Sequence, residues 1–195
     1  MAPMATDPLR RARRWLREAE RRGADLPENA ALATVDGRGR PSVRYVLIKA
    51  IDDRGAVFYT NLVSRKGREL AANPHAALAL YWNATGKQLR LEGRVHAVDE
   101  AEADEYWGER PPASRIASAV STQSRAVSSR RVLLARYRDL LAKHPDGDIP
   151  RPAHWSGFRL IPRNVEFWER AEPRLHEREL FTRTRQGWRS RILQP

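Results

Sequence analysis

Several residues in this sequence have the types and spacings that grip phosphates and read polar ring edges. Ser64, Arg65 and Lys66 stand where a helix begins, and exposed N–H groups beside two cations suit a phosphate. Tyr106, Arg110 and Ser114 recur at intervals of four across Pro111-Pro112, so two hydroxyls and a guanidinium could converge on a phosphate dianion. Arg44 and Lys49 are five apart on one strand-like run, and a regular strand points them to opposite faces, toward different ligands. Arg174, His176 and Arg178 share one face if extended; three potential cations together cost electrostatic energy unless an anion or acidic partner compensates. Gln88 and Gln123-Ser124 are neutral donors and acceptors of the kind that read the edge of a heterocycle. Taken singly, each group also fits an ordinary capped helix, surface cluster or polar contact.

Other chemistries lack their residues. There is no Walker-type phosphate loop, no G-x-S-x-G elbow and no H-E-x-x-H. The five histidines have no metal-ligand spacing, so no metal site is expected. Gly37-Arg38-Gly39 is followed by a strand rather than a helix, which excludes a dinucleotide fingerprint. Cysteine is absent, removing disulfides, thiolate zinc sites and a cysteine nucleophile. No apolar run is long enough to span a membrane and no signal-type apolar segment opens the chain, so a cytoplasmic protein is expected. With 36 Lys+Arg against 24 Asp+Glu, the net charge is +12. Arginine dominates the cations, a skew that a GC-rich genome also produces. As a functional signal the charge leaves nucleic acid and phosphorylated small molecules both open.

These residues need elements to hold them. Residues 7–22 read as a helix, with Asp7 as N-cap and Pro8 at the first helical position. Leu9, Ala12, Trp15, Leu16 and Ala19 form its apolar face; Arg10, Arg13, Arg14 and Arg17 form a solvated one. Strand-like runs at 30–35, 42–50 and 56–60, separated by turns at 36–39 and 52–55, argue for an antiparallel meander. A short helix from Ser64 stops near Asn73-Pro74, and strands at 76–82 and 88–98 follow. Asp99 is placed to cap a helix over 100–107, with Glu102 at the capping-box position. Residues 113–144 read as mostly helical, with Val132, Leu133, Leu134, Tyr137 and Leu140 as the apolar stripe. Strands at 157–161, 165–168, 180–183 and 188–193 close the chain. The expected fold is one domain over 1–195, mainly β with helices, an antiparallel β-barrel wrapped by helices; 1–23 forms the N-terminal helix and 157–195 the C-terminal strands.

The same positions carry a resemblance. LATVD (32–36), RYVLIK (44–49), FYTNLVSRKG (58–67) and QLRLEG (88–93) resemble the pyridoxine/pyridoxamine 5′-phosphate oxidases. Tyr106 with Arg110-Pro111, STQS (121–124), EFW (166–168), RLHER (174–178) and the closing 191–195 extend the likeness from about residue 7 to the end. The resemblance implies a six-stranded antiparallel split β-barrel that binds FMN at a homodimer interface, both subunits contributing. It implies that Arg44 and Lys66, with Arg65, hold the FMN phosphate, and that Tyr45, Val46, Leu47, Ile48, Lys49, Tyr59 and Thr60 line the cofactor site. Gln88, Gln123 and Ser124 would bond the flavin or its ribityl chain, and Trp168 and Arg178 would close around the ring system. Lys49, Tyr106, Arg110 and Ser114 would take the substrate phosphate. Arg174 and His176 would orient the substrate ring as the catalytic pair.

The activity so implied is oxidation of pyridoxamine or pyridoxine 5′-phosphate to pyridoxal 5′-phosphate, with O₂ as acceptor and H₂O₂ as product. The chain departs from the family pattern in starting almost at the first helix and in carrying Leu26 before Pro27 where an acidic residue is common. Both departures bear on closure over the substrate. The nearest alternative is a phenazine-biosynthesis-type oxidase on the same scaffold, whose members typically lack the lysine and tyrosine found here at Lys49 and Tyr106. A basic nucleic-acid-binding module is the alternative from another class; the chain lacks the aromatic-interleaved basic strand that single-strand binders use.

Overall fold

In the computed structural model, which describes residues 7–195, the period-two runs become a closed ring of strands. β1 (Asn29–Val35), β2 (Pro41–Ile51) and β3 (Ala56–Asn61) form the expected meander. Aspartates make both turns: Asp36 accepts the amides of Arg38 and Arg40 at 2.9 and 3.0 Å, and Asp52 those of Arg54 and Gly55 at 2.8 and 3.0 Å. β4 (His75–Trp82), β5 (Lys87–Ala97), β6 (Trp155–Glu169), β7 (Glu177–Thr184) and β8 (Gly187–Ile192) complete the sheet. The order is β3-β2-β1-β4-β5-β6, every pair antiparallel, and β3 pairs with β6 to close a six-stranded barrel. β7 and β8 extend the sheet beyond β6. The fold is thus the split-barrel α+β architecture that the resemblance implied.

One strand replaces two expected ones. The segments 157–161 and 165–168 belong to a continuous 15-residue β6, because Pro162 pairs with Gly93 in a register shift rather than ending the strand. Backbones approach closely there: a Cβ on Gly93 would lie 2.1 Å from the Ile161 carbonyl oxygen, so only glycine fits. The first half of β6 pairs with β3 and the second half with β7, so this strand both closes the barrel and carries the C-terminal hairpin.

The inward rows fill the barrel with Leu32, Val46, Ile48, Phe58, Leu78, Leu80, Leu89, Leu91, Leu160 and Phe167. α1 (Pro8–Arg21) packs the expected face against this core; its Asp7 caps the Leu9 amide at 3.0 Å, and Trp15 meets Phe167 edge-on at 4.8 Å. Residues 1–6 of the expected N-terminal segment lie outside the described residues. α2 (Arg65–Ala72) sinks Leu70 into the same core.

The remaining helices depart from expectation in two ways. α3 (Glu100–Glu109) starts after Asp99, but Asp99 makes no side-chain cap and Glu102 instead binds Arg159 at 2.7 Å. A buried guanidinium outcompetes a helix-end amide for the carboxylate. The expected run over 113–144 is two helices, α4 (Pro112–Val120) and α5 (Arg130–Lys143), separated at 121–129. The segment between carries Gln123 and Ser124, and its chain turns at Ser124 through a φ of 71°. α5 buries no residue fully; Tyr137, Leu140 and Leu141 only lean on a second cluster around Trp107, Ile116, Ile149 and Trp155.

Candidate active site

The N-terminus of α2 is built as expected and then goes further. Ser64 caps the Gly67 amide at 3.2 Å, and the Arg65 amide donates to Ser124 Oγ at 3.2 Å, tying the 121–129 segment to the helix. Lys66 turns inward: its ammonium donates to Thr60 Oγ1 at 3.1 Å and Gln123 Oε1 at 2.7 Å. Burial, helped by the nearby Arg44 charge, lowers Lys66 to about 8. Arg44 points to the barrel side of β2 and binds Thr34, Ser42 and, at 2.9 Å, Glu69. Lys49 projects from the other face, so the two cations of this strand do serve different surroundings.

A cleft of about 450 Å³ opens beside Lys66. From β2 it takes Tyr45, Val46, Leu47 and Lys49; from β3, Tyr59, Thr60 and Asn61. The opposite wall holds Tyr106, Arg110, Ser114 and Ser118, with Gln123 and Trp155 completing it. Tyr106, Arg110 and Ser114 therefore do converge, because Pro111-Pro112 joins α3 to α4 without a long loop. The wall is stiff. Tyr59 stacks on Tyr106 at 3.9 Å and on Trp155 at 5.4 Å, and the Arg110 guanidinium lies 4.7 Å from the Trp155 ring. Arg110 also donates to the Ser114 carbonyl at 3.1 Å and Ser118 Oγ at 2.9 Å, while its Nε is buried without a partner. Burial raises both phenols, Tyr59 to about 12, so they stay protonated donors; it pulls Arg110 below its ordinary value, and Tyr106 opposes that.

A second group stands apart from this cleft. Gln88, Trp168 and Arg178 lie side by side across β5, β6 and β7. Arg178 binds Glu166 at 2.9 Å and the Gln194 carbonyl at 3.0 Å, and Trp168 meets the His176 ring at 4.6 Å. His176 Nδ1 accepts the Ala171 amide at 3.2 Å. The extended geometry expected for 174–178 does not hold: β7 starts only at Glu177, and Arg174 sits in a turn with φ 82°. Of the three cations, Arg178 has an acidic partner in Glu166, which also takes Arg90 at 3.0 Å.

Of the other sequence-derived residues, Ile48 turns its side chain into the core, leaving only its backbone for a ligand. Arg44 and Arg65 stand behind Lys66 rather than in the cleft wall. Ser124 lines an adjoining cavity of about 380 Å³ with Arg125 and Arg136. Sequence reasoning missed Trp155, Asn61, Ser118 and Glu69. Only Glu69 had a legible signal, its spacing of four from Arg65 on a helix.

Residues 16–144 match the family profile described as pyridoxamine 5′-phosphate oxidase, and residues 155–195 that of the pyridoxine 5′-phosphate oxidase C-terminal dimerisation region. A pyridoxine/pyridoxamine 5′-phosphate oxidase of Gluconobacter oxydans is 46% identical, covering 98% of this chain and 96% of the relative. One from Novosphingobium aromaticivorans is 48% identical over 97% of this chain and 94% of its own. Among solved structures, PhzG from Burkholderia lata, in complex with tetrahydrophenazine-1-carboxylic acid, superposes with a TM-score of 0.94 at 36% identity, covering 100% of this chain and 95% of that one. A pyridoxamine 5′-phosphate oxidase-related FMN-binding protein of Nostoc punctiforme shares the fold at 22% identity, with a TM-score of 0.80 over 98% of this chain and 100% of the other.

Proposed function

Because the chain belongs to the pyridoxine/pyridoxamine 5′-phosphate oxidase family of oxidoreductases, we propose that it binds FMN and oxidises pyridoxamine or pyridoxine 5′-phosphate to pyridoxal 5′-phosphate. The observation that carries this reading is the convergence of Lys49, Tyr106, Arg110 and Ser114 on one cleft beside Lys66. Two cationic sites in a single cleft suit two phosphates, one on the cofactor and one on the substrate.

The residues fit such ligands. Lys66 has three donors and spends two on neutral oxygens, and Arg110 Nε is buried with its donor unspent. Lys66, Arg65 and Arg44 would hold the FMN phosphate, with Gln123 and Ser124 along the ribityl chain. When bound, FMN supplies the two-electron acceptor, and O₂ takes the electrons onward to hydrogen peroxide. Lys49 and Arg110 neutralise the substrate phosphate while Tyr106 and Ser114 donate to it. The Trp155 and Tyr59 rings keep those groups from swinging, so the substrate is oriented rather than merely attracted.

The strip Gln88–Trp168–Arg178, with Arg174 and His176, completes the site from a second copy of the chain, where Arg174 and His176 orient the substrate ring. A homodimer is supported by the match of 155–195 to a dimerisation region. It is also supported by an apolar outer face on β2, β1 and β4: Val43, Tyr45 and Tyr81 are 69%, 72% and 50% exposed.

The likeness to PhzG favours one second reading, oxidation of a reduced phenazine. Anaerobic mixing of the flavin-loaded protein with pyridoxine phosphate, pyridoxamine phosphate and a dihydrophenazine separates the two. Bleaching of the flavin by the phosphorylated vitamers is expected; bleaching by the dihydrophenazine alone overturns the B6 assignment.

A further inference from the structure

Glu69 occupies an unusual place for a carboxylate. It is 5% exposed, on the buried side of α2 one turn after Arg65, and each of its oxygens holds a different arginine. Oε2 accepts Arg44 Nη2 at 2.9 Å together with the hydroxyls of Thr34 and, at 2.7 Å, Ser42. Oε1 accepts Arg65 Nε at 2.8 Å. Arg65 thereby keeps its Nη donors open toward solvent, its side chain 59% exposed.

Arg44 and Lys66 are close enough that the Arg44 charge helps lower the Lys66 pKa, while Glu69 opposes the shift. Without Glu69 these cations repel one another, and the guanidinium of Arg44 keeps only neutral partners, the Leu32 carbonyl and the Thr34 and Ser42 hydroxyls. Three cations and one carboxylate leave two positive charges in excess, which matches a phosphate dianion. Burial would push the Glu69 carboxyl up, but hydrogen bonds from Thr34, Ser42, Arg65 and Arg44 overcome that and hold it at about 2. It is therefore ionised at every pH at which the protein would be assayed.

We propose that Glu69 is a positioning residue that pins Arg44 and Arg65 in the geometry that receives the cofactor phosphate, without touching the cofactor itself. The inference rests on the FMN reading above and adds a requirement to it. It also fixes the sign of a substitution. If Glu69 were only a counter-charge, removing it would add net positive charge and tighten an anion; if it positions the arginines, removing it loosens the anion.

The test is flavin titration of the full chain stripped of bound flavin, followed by quenching of flavin fluorescence, with FMN and with riboflavin, which lacks the phosphate. Glu69→Gln keeps the shape and an acceptor oxygen but not the charge. FMN affinity is expected to fall about tenfold or more while riboflavin affinity stays within about twofold. Unchanged or tighter FMN binding overturns the proposal, and so does a parallel loss for both flavins, which marks general damage. Ser42→Ala, which removes a single neutral partner of Glu69 and Arg44, guards against misfolding. It is expected to weaken FMN selectively by a smaller factor, and no selective effect again overturns the proposal. A wild-type chain that binds FMN no better than riboflavin would instead refute the phosphate site, a different failure from that of Glu69.

Discussion

Lys66 shows how one side chain's environment sets its chemistry. Its ammonium is desolvated and sits near Arg44, so its pKa falls from 10.5 to about 8. The folded chain therefore releases this proton earlier than the unfolded chain. In the absence of an anion, this group adds stability as pH rises from about 8 toward 10.5 and leaves its full cost in place below 8. A phosphate reverses the preference by stabilising the charged form. FMN affinity is accordingly expected to be highest below about pH 8 and to weaken above it, read as dissociation constants across that range. Lys66→Arg, which cannot deprotonate there, should flatten the profile; a flat wild-type profile would remove Lys66 from the phosphate site. The spacing of Ser64, Arg65 and Lys66 marked a candidate anion site. Nothing in that spacing showed that Lys66 turns inward while Arg65 stays out, because that depends on which side of α2 meets the barrel.

At the level of elements, the strands were readable because alternation is a local property. Leu89, Leu91 and Val95 turn inward as the period of two requires. The continuous β6 was not readable, because Pro162 normally marks a break and only its register with Gly93 lets the strand pass. That junction is tight enough to test. Gly93→Ala is expected to destabilise the protein by on the order of 1–3 kcal/mol in urea unfolding, since backbone rather than a flexible side chain lies in the way. Gly37→Ala, where a Cβ meets nothing within 4 Å, should change stability by no more than about 0.5 kcal/mol. Equal effects at both positions would show that the β5–β6 contact is looser than its geometry implies. The split of 113–144 into α4 and α5 was hidden for a related reason: the segment between them is held by Ser124 and Gln123 reaching α2, far away in sequence.

For the whole molecule, the two groups of candidate site residues belong to different parts of one sheet. The cleft lies among β2, β3, α3 and α4, while Gln88, Trp168 and Arg178 stand on β5 to β7. A dimer that joins one group to the other copy's second group makes flavin binding depend on association. Val43, 69% exposed and outside the cleft lining, gives a direct check. Val43→Glu should leave the isolated fold nearly unaffected, shift sedimentation toward the monomer and lose bound flavin in parallel. A monomer that retains flavin would show that one chain suffices. The +12 charge was a poor guide at this scale, because it does not say which cations meet; among the described residues many pair with carboxylates on the surface.

By itself the sequence determined most of the elements, though neither the continuity of β6 nor the split between α4 and α5, together with the alternation that fills the barrel and the residue types able to grip phosphate, because these follow from local periodicity and side-chain chemistry. Its motifs also determined the family. Only the tertiary structure decided that Tyr106, Arg110 and Ser114 share a cleft with Lys66, that Trp155 braces Arg110, and that Glu69 holds Arg44. These contacts join residues from separate elements, 25 positions apart for Arg44 and Glu69. Their geometry is set by the closure of β3 on β6 and the seating of α2 on β1, which no short window of sequence contains.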